Sequence, residues 1–79
     1  MNKLQLIEAI FGSEFTPLVK VYNEFEYYMA VPKGNMTMVY SHEVSNWMKK
    51  AKDNNAFFAL HFDNKYSSYK SYIQVMFFA

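Results

Sequence analysis

The chain contains no cysteine and no arginine, and it has only two glycines and two prolines. Without cysteine it cannot form the disulfides on which small secreted domains usually depend, which favours a reducing compartment or one where no disulfide is needed. Without arginine it lacks the guanidinium fork that normally recognises phosphate, carboxylate or guanine by two parallel hydrogen bonds. Two glycines are too few for a phosphate-binding loop or a glycine-rich dinucleotide motif, so the sequence carries no nucleotide-binding signature.

Long hydrophobic runs are also missing. No stretch approaches the ~20 apolar residues that a membrane span needs, and no apolar segment of a signal peptide follows Met1–Gln5. All eight basic residues are lysine, and they occur with seven asparagines and seven tyrosines. This bias is typical of an AT-rich gene and indicates a low-GC bacterium, or a phage or mobile element living in one. The expected location is the cytoplasm of a bacterial host cell.

Aromatic residues are present in excess for a chain of this size. Among 79 residues there are eight Phe, seven Tyr and one Trp, and hydrophobic residues make up 52%. Each aromatic side chain has about 150–250 Å² to bury, which is more than one small core can accept. Some of these rings are therefore expected on the surface, and a tyrosine-rich surface is typical of binding sites.

The first predicted element is a short helix that Asn2 caps and Gly12 ends. Its apolar side chains recur at helical spacing: Leu4, Ile7, Ile10 and Phe11. A strand is predicted to start at Pro17, where proline is tolerated because the first residue of a strand needs no paired amide. Asn23 and Glu24 then form a turn.

The next strand is predicted at residues 25–31. Phe25, Tyr27, Met29 and Val31 share one of its faces, and Glu26, Tyr28 and Ala30 share the other. Pro32 and Gly34 are spaced as in a hairpin loop built on a type I turn. The returning strand is therefore predicted at residues 36–40.

The clearest helical pattern covers residues 41–53. Ser41 is predicted to cap this helix, and Asp53, Asn54 and Asn55 to end it. The apolar residues lie at i, i+3, i+4 and i+7: Val44, Trp47, Met48 and Ala51. Trp47 is predicted to anchor the core against the sheet.

Two strands follow, at residues 56–62 and 69–78. Both faces of the first are apolar, which favours a central strand covered on each side. The predicted order is α-β-β-β-α-β-β over residues 1–79. This order indicates a single small α+β domain, with an antiparallel sheet of about five strands and helices packed on one face.

The last predicted strand has no proline, and it has no charged side chain after Lys70. Natural proteins normally protect a free apolar edge with charge, proline or a covering element. Either the strand is central in the sheet, or a partner occupies its edge by strand addition. The second alternative includes a symmetric homodimer through the C-terminal strand, and the aromatic excess favours an occupied edge.

Candidate catalytic and metal-binding groups are few. His61 and Asp63 lie on the same face of a strand, but two ligands do not make a zinc site. Glu24 and Glu26 form a carboxylate pair beside a turn, which is typical of a solvated strand face. We therefore expect no metal, no cofactor and no enzymatic activity.

The segment "KYSSYKSY" at residues 65–72 is the most suggestive stretch, because aromatic rings beside lysines can stack on bases and contact phosphates of a single strand. The net charge of +1 and the missing arginine argue against nucleic acid. A tyrosine- and serine-rich surface that contacts protein is the stronger interpretation. The predicted partner-binding residues are Tyr66, Tyr69, Lys70 and Tyr72.

These observations leave two functional hypotheses. The first is a non-catalytic protein-interaction module that inhibits or modulates a larger host or defence protein. In size and composition, though in no motif, the chain resembles small phage-encoded anti-CRISPR, anti-restriction and toxin-neutralising proteins. The alternative is a small single-stranded nucleic-acid-binding protein that uses residues 65–72.

Overall fold

Two helices and four strands make up the part of the chain that the computed structural model describes, which is residues 1–34, 39–62, 65 and 69–78. In chain order they are α1 (Lys3–Phe11), β1 (Phe15–Tyr22), β2 (Phe25–Pro32), α2 (Ser41–Asp53), β3 (Ala56–His61) and β4 (Tyr72–Phe77). The predicted α+β class is confirmed, and the strands form one antiparallel sheet.

Local signals account for the limits of α1. The Asn2 side chain accepts a hydrogen bond of 2.8 Å from the Gln5 backbone N–H, and the Gln5 side chain accepts one of 3.0 Å from the Asn2 N–H. This reciprocal pair satisfies two amides that would otherwise lack partners at the helix start. Gly12 ends the helix with a φ of 95° and donates its N–H to the Glu8 carbonyl at 2.8 Å. Both predictions for this helix are confirmed.

The first hairpin turns through Asn23 and Glu24, which have φ angles of 49° and 69°. Left-handed conformations at both positions are typical of the two-residue turns that match the twist of paired strands. Tyr22 pairs with Phe25 across this turn. The predicted turn is confirmed, and β1 starts two residues before Pro17, earlier than the sequence indicated.

Helix α2 has no side-chain cap at its N-terminus. Tyr40 occupies the N-cap position in an extended conformation, and its carbonyl accepts hydrogen bonds from the N–H groups of Glu43 and Val44. The prediction that Ser41 caps this helix is wrong, because Ser41 is already its first helical residue. At the other end the predicted stop is confirmed: the Asn54 side chain donates to the Lys50 carbonyl at 2.8 Å, and Asn55 has a φ of 53°.

The strand order in the sheet is β1-β2-β4-β3. Of the two alternatives for the C-terminal strand, the structure has the central one, because Ile73, Gln74 and Val75 pair with β2 on one side and β3 on the other. At these residues no edge is free for a homodimer through the C-terminal strand. The prediction that residues 56–62 form a central strand is wrong: β3 is an edge strand.

The described sheet has four strands, not about five. The prediction of a strand at residues 36–40 is not matched: Val39 lies outside any strand and Tyr40 begins the capping of α2. Residues 36–38 of that prediction, and Asn35 of the preceding hairpin loop, lie outside the described residues. Strand β4 is also shorter than the predicted 69–78, because it begins at Tyr72.

Both helices pack on one face of the sheet, as predicted, and the core lies between the two layers. Its buried side chains come from all six elements: Ile7, Ile10, Phe11, Phe15, Ala30, Trp47, Ala51, Ala56, Ile73 and Val75. At its centre the Trp47 ring lies 5.4 Å from the ring of Phe11 and 5.5 Å from that of Phe15, both edge to face. Such contacts add to the free energy gained by burial alone.

Met48 does not belong to this core, although its spacing placed it with Trp47. It is 60% exposed, whereas Trp47 is 9% exposed. Positions 44, 47 and 51 lie along the line of closest approach between α2 and the sheet, and position 48 lies on the flank of that stripe. The flank faces the outer edge of β3, and among the described strands none lies beyond that edge to cover Met48.

We predict that Trp47→Ala lowers the free energy of unfolding by about 3–5 kcal/mol, because it removes the ring that both helices and the sheet share. Met48→Ala is the matched control and should change it by less than about 0.5 kcal/mol, since that side chain is exposed. Urea unfolding followed by circular dichroism measures both. Equal effects of the two substitutions would contradict the packing of α2.

We also predict that Glu24→Gly stabilises the protein by about 0.5–1 kcal/mol. A left-handed φ costs an L-residue about 1–2 kcal/mol. Glycine removes that cost, but it loses more conformational entropy on folding, which costs about 0.5–1 kcal/mol. Glu24→Ala removes the same charge and keeps the Cβ atom, so it should bring no gain. A gain of equal size from both variants would assign the effect to charge and not to the turn.

Candidate interaction surface

The sheet face opposite the helices, here called the helix-free face, carries a row of side chains that crosses all four strands. Antiparallel partners point to the same face, and the register aligns Leu18, Met29, Gln74 and Ala59 in that row. Met29 is buried and the other three are half-buried. This row is the centre around which the polar and aromatic groups of the face lie.

Tyr72, one of the predicted site residues, lies on the helix-free face opposite His61. The two rings stack in parallel with centroids 4.6 Å apart and an interplanar angle of 10°. The His61 Nε2 atom also lies 3.2 Å from the Oε1 atom of Gln74. One face of the Tyr72 ring is therefore covered by an imidazole that is itself held in a hydrogen bond.

Tyr69 and Lys70 come just before β4 in the chain. The Nζ atom of Lys20 lies 4.7 Å from the centre of the Tyr69 ring, which is within cation–π distance. Lys20 pairs with Tyr27 and points to the helix-free face. Tyr69 therefore contacts a side chain of β1, whereas Tyr72 contacts one of β3. Lys70 is exposed. Tyr66, the fourth predicted residue, lies outside the described residues.

The largest group of exposed apolar side chains is elsewhere, at the turn end of the β1–β2 hairpin. Strand β2 pairs with β4 only from Tyr28 to Ala30, so the hairpin extends beyond the rest of the sheet. Five exposed apolar residues lie in this hairpin end: Val19, Val21, Tyr22, Phe25 and Tyr27. Tyr22 and Phe25 are 67% and 68% exposed, and they pair beside the turn.

Both faces of the hairpin end are apolar. Val19 and Val21 point to the side of the helices, whereas Tyr22, Phe25 and Tyr27 point to the opposite side. The surface of the hairpin end is therefore two-sided, unlike a sheet face. Sequence reasoning recognised the turn and the alternation of β2 but did not single out this end, although its signal is in the sequence: apolar residues at both parities flank a two-residue turn.

The base of the hairpin end is fixed by side-chain contacts of β2 with β4 and α1. The rings of Tyr28 and Phe77 meet edge to face at 5.5 Å, and Lys3 Nζ lies 5.2 Å and 5.8 Å from their centres. The Tyr28 hydroxyl donates a hydrogen bond to the Glu26 carboxylate, which raises the pKa of Tyr28 together with burial and the negative charge of Glu26. These contacts keep the hairpin end attached to α1 and β4.

The described residues do not form a recognisable catalytic or metal-binding arrangement. Within the described ranges, no three His, Cys, Asp or Glu side chains cluster closely enough to hold a metal ion. Asp63, the second residue of the predicted His61 pair, lies outside these ranges. Glu26, from the carboxylate pair with Glu24, accepts a hydrogen bond from the Tyr28 hydroxyl. Neither described helix is long and apolar enough to cross a membrane.

Comparison with known proteins adds no assignment: no family model, curated protein or solved structure matches this chain.

We predict that metal chelation leaves the protein unchanged. Its described residues contain no adequate ligand cluster, and a structural zinc site would need three or four such ligands. The melting temperature should be the same with and without EDTA, and native mass spectrometry should show the mass of the bare chain. Stoichiometric zinc in the mass spectrum would contradict the prediction.

Proposed function

We propose that this protein is a non-catalytic interaction module that binds a larger protein through its hairpin end. One observation carries the proposal: five of the eleven large apolar side chains that are exposed in the described residues lie within residues 19–27. Exposed apolar groups concentrated in one patch are typical of interaction sites, whereas scattered ones are not. Tyr22 and Phe25, the most exposed aromatic pair, are of the type that dominates binding energy in protein interfaces.

The shape of the hairpin end supports insertion into a cleft. A flat partner surface would cover Tyr22, Phe25 and Tyr27 but would leave Val19 and Val21 in water. A cleft covers both sides at once, and it also supplies partners for the outer amides and carbonyls of β1 near its end. Binding in a cleft is an effective way for a small protein to inhibit a larger one, because clefts are where active sites and ligand sites usually lie.

The partner class that we propose is a bacterial host or defence protein, met in the cytoplasm. Support comes from the composition, in which lysine replaces arginine throughout and asparagine and tyrosine are abundant. This composition matches small phage or mobile-element products such as anti-CRISPR, anti-restriction or antitoxin-like proteins. The protein would act by occupying its target and not by chemistry, in keeping with the absence of a catalytic motif in the sequence.

A single-stranded nucleic-acid-binding protein is the second candidate. The observation in its favour is that Tyr72, together with the Lys20–Tyr69 pair, lies on the helix-free face beside the exposed Lys70. Two observations weigh against it. His61 stacks on the Tyr72 ring and the Lys20 ammonium lies over the Tyr69 ring, so each ring has a face already in use. The net charge of +1 also gives little attraction for phosphate.

The hairpin proposal predicts that the double variant Tyr22→Ser and Phe25→Ser loses its partner. Tagged protein is used to capture proteins from a low-GC bacterial lysate, and the affinity for the recovered protein is then measured by calorimetry. Replacing two central aromatic contacts should weaken binding by about 2 kcal/mol or more. Because both side chains are exposed, the melting temperature should change little.

Tyr40→Ser is the matched control for that double variant, since Tyr40 is 57% exposed at the start of α2, away from the hairpin end. It should bind as the parent chain does. Equal loss in both variants, or none in either, would contradict the hairpin site. Tight binding of oligo-dT or oligo-U that falls steeply with salt would instead support the nucleic-acid alternative, because phosphate contacts release counterions.

A further inference from the structure

The two edges of the sheet differ in how they are protected. At the β1 edge, Lys33 donates its N–H to the Glu14 carbonyl at 2.9 Å. Alternation along the paired strands then directs the nitrogen of Pro17 away from β2, toward the free edge. A proline in that position denies an incoming strand one of its hydrogen bonds. The β1 edge is therefore protected at Pro17, by one of the devices that natural sheets use.

The β3 edge has no such protection. None of its six residues, Ala56–His61, is a proline or carries an Asp, Glu, Lys or Arg side chain. Phe78 donates its N–H to the Asn55 carbonyl at 2.8 Å, and the same alternation directs the N–H and C=O groups of Ala56, Phe58 and Leu60 to the open side. Within the described chain, no strand pairs with that side.

An apolar groove of about 700 Å³ lies beside this edge, between α2 and β3. The side chains of Ala56, Phe58 and Leu60 face the helices and form its floor. Val44 and the exposed Met48 form the wall on the side of α2. The three residues that offer free backbone groups are therefore the ones that offer apolar contacts, and a bound strand can satisfy both.

The charge of the groove lining indicates which kind of segment can bind there. Lys49 and Lys52 line it, and no carboxylate does among the described residues. A second copy of this chain, entering with its own β3, would bring a strand without Asp or Glu, and the residues that follow it offer one carboxylate, that of Asp63, for two lysines. We infer that the groove binds an extended apolar segment of another protein, by strand addition to β3, with acidic residues that pair with Lys49 and Lys52.

The direction of that segment follows from the fold. All strand pairs in the sheet are antiparallel, and antiparallel pairing is the slightly more stable kind. The connection from α2 to β3 is only Asn54–Asn55, so Lys49 and Lys52 lie near the start of β3. An antiparallel segment brings its C-terminal end to that point, so its acidic residues belong there. This site goes beyond the proposed function, because it is at the opposite edge of the sheet from the hairpin end.

A labelled synthetic peptide tests the inference: six residues with valine at alternate positions, followed by two glutamates. We expect saturable binding to the full chain by fluorescence anisotropy, about tenfold weaker binding of the same peptide with two lysines, and a smaller difference at high salt. Slower amide exchange of Phe58 and Leu60 on saturation is the signature of strand addition. N-methylation of the peptide on the edge that faces β3 should abolish binding, and N-methylation on its other edge should not.

Charge reversal on the protein provides the matched variants. Lys49→Glu with Lys52→Glu should bind the lysine peptide better than the glutamate peptide. Lys50→Glu, on the same helix but outside the groove lining, should behave as the parent chain. Equal binding of both peptides to the parent, or no binding of either, would overturn the inference. So would protection of the same amides by concentration-dependent self-association.

The binding roles of the hairpin end and of the groove can be tested independently. Tyr22→Ser with Phe25→Ser should leave peptide affinity unchanged, since those residues are not part of the groove. Loss of peptide binding in that variant would show that the peptide sits on the hairpin end, and would overturn the groove assignment. A groove that binds nothing would leave the hairpin proposal as it stands.

Discussion

The fold depends on one aromatic contact group, formed by Phe11, Phe15, Trp47 and Phe58. Each ring comes from a different element, α1, β1, α2 and β3, and the measured centroid distances among them run from 5.2 to 6.3 Å. A chain of 79 residues has room for a single core. Because this group joins both helices to the sheet, it also decides that both helices lie on the same side.

A core on one side of the sheet leaves the remaining aromatic residues without cover. The described structure places seven of them among its exposed large side chains: Tyr22, Phe25, Tyr27, Tyr40, Phe57, Phe62 and Phe78. They are not spread evenly, since Tyr22, Phe25 and Tyr27 share the hairpin end while Phe57 and Phe78 pack together at 5.0 Å next to the groove. Burial thus separates five of these seven exposed rings into two distinct groups, and Tyr40 and Phe62 belong to neither.

The unequal edges follow from the same arrangement. Strand β4 is enclosed because it pairs with its hairpin neighbour β3 and also with β2, and this leaves β1 and β3 at the two ends of the sheet. Pro17 protects the first, whereas the second is apolar, uncharged and next to lysines of α2. A sheet edge without such protection can pair with a strand of another chain.

The sequence by itself determined the local features of this protein. Asn2 and Gly12 limit α1, Asn23 and Glu24 turn the first hairpin, and the alternation at 25–31 assigns each side chain of that segment to a face. These features depend on neighbours a few residues away, where spacing, φ preference and side-chain hydrogen bonds are sufficient. Trp47 was also identifiable as a core residue, because it is the largest apolar side chain of the helical stripe and so has the most surface to bury.

Only the tertiary structure decided the strand order, and with it the site. An apolar strand such as β3 has the same sequence pattern at the centre of a sheet or at its edge, because periodicity records which faces are apolar and not which neighbour supplies the backbone partners. The same limit explains Met48, whose exposure depends on which strand lies at the edge of the sheet. It also explains Tyr69, whose ring lies over Lys20 although the two residues are 49 positions apart in the chain. Such contacts join residues far apart in sequence. Their free energies depend on the whole fold, so no short segment of the sequence predicts them.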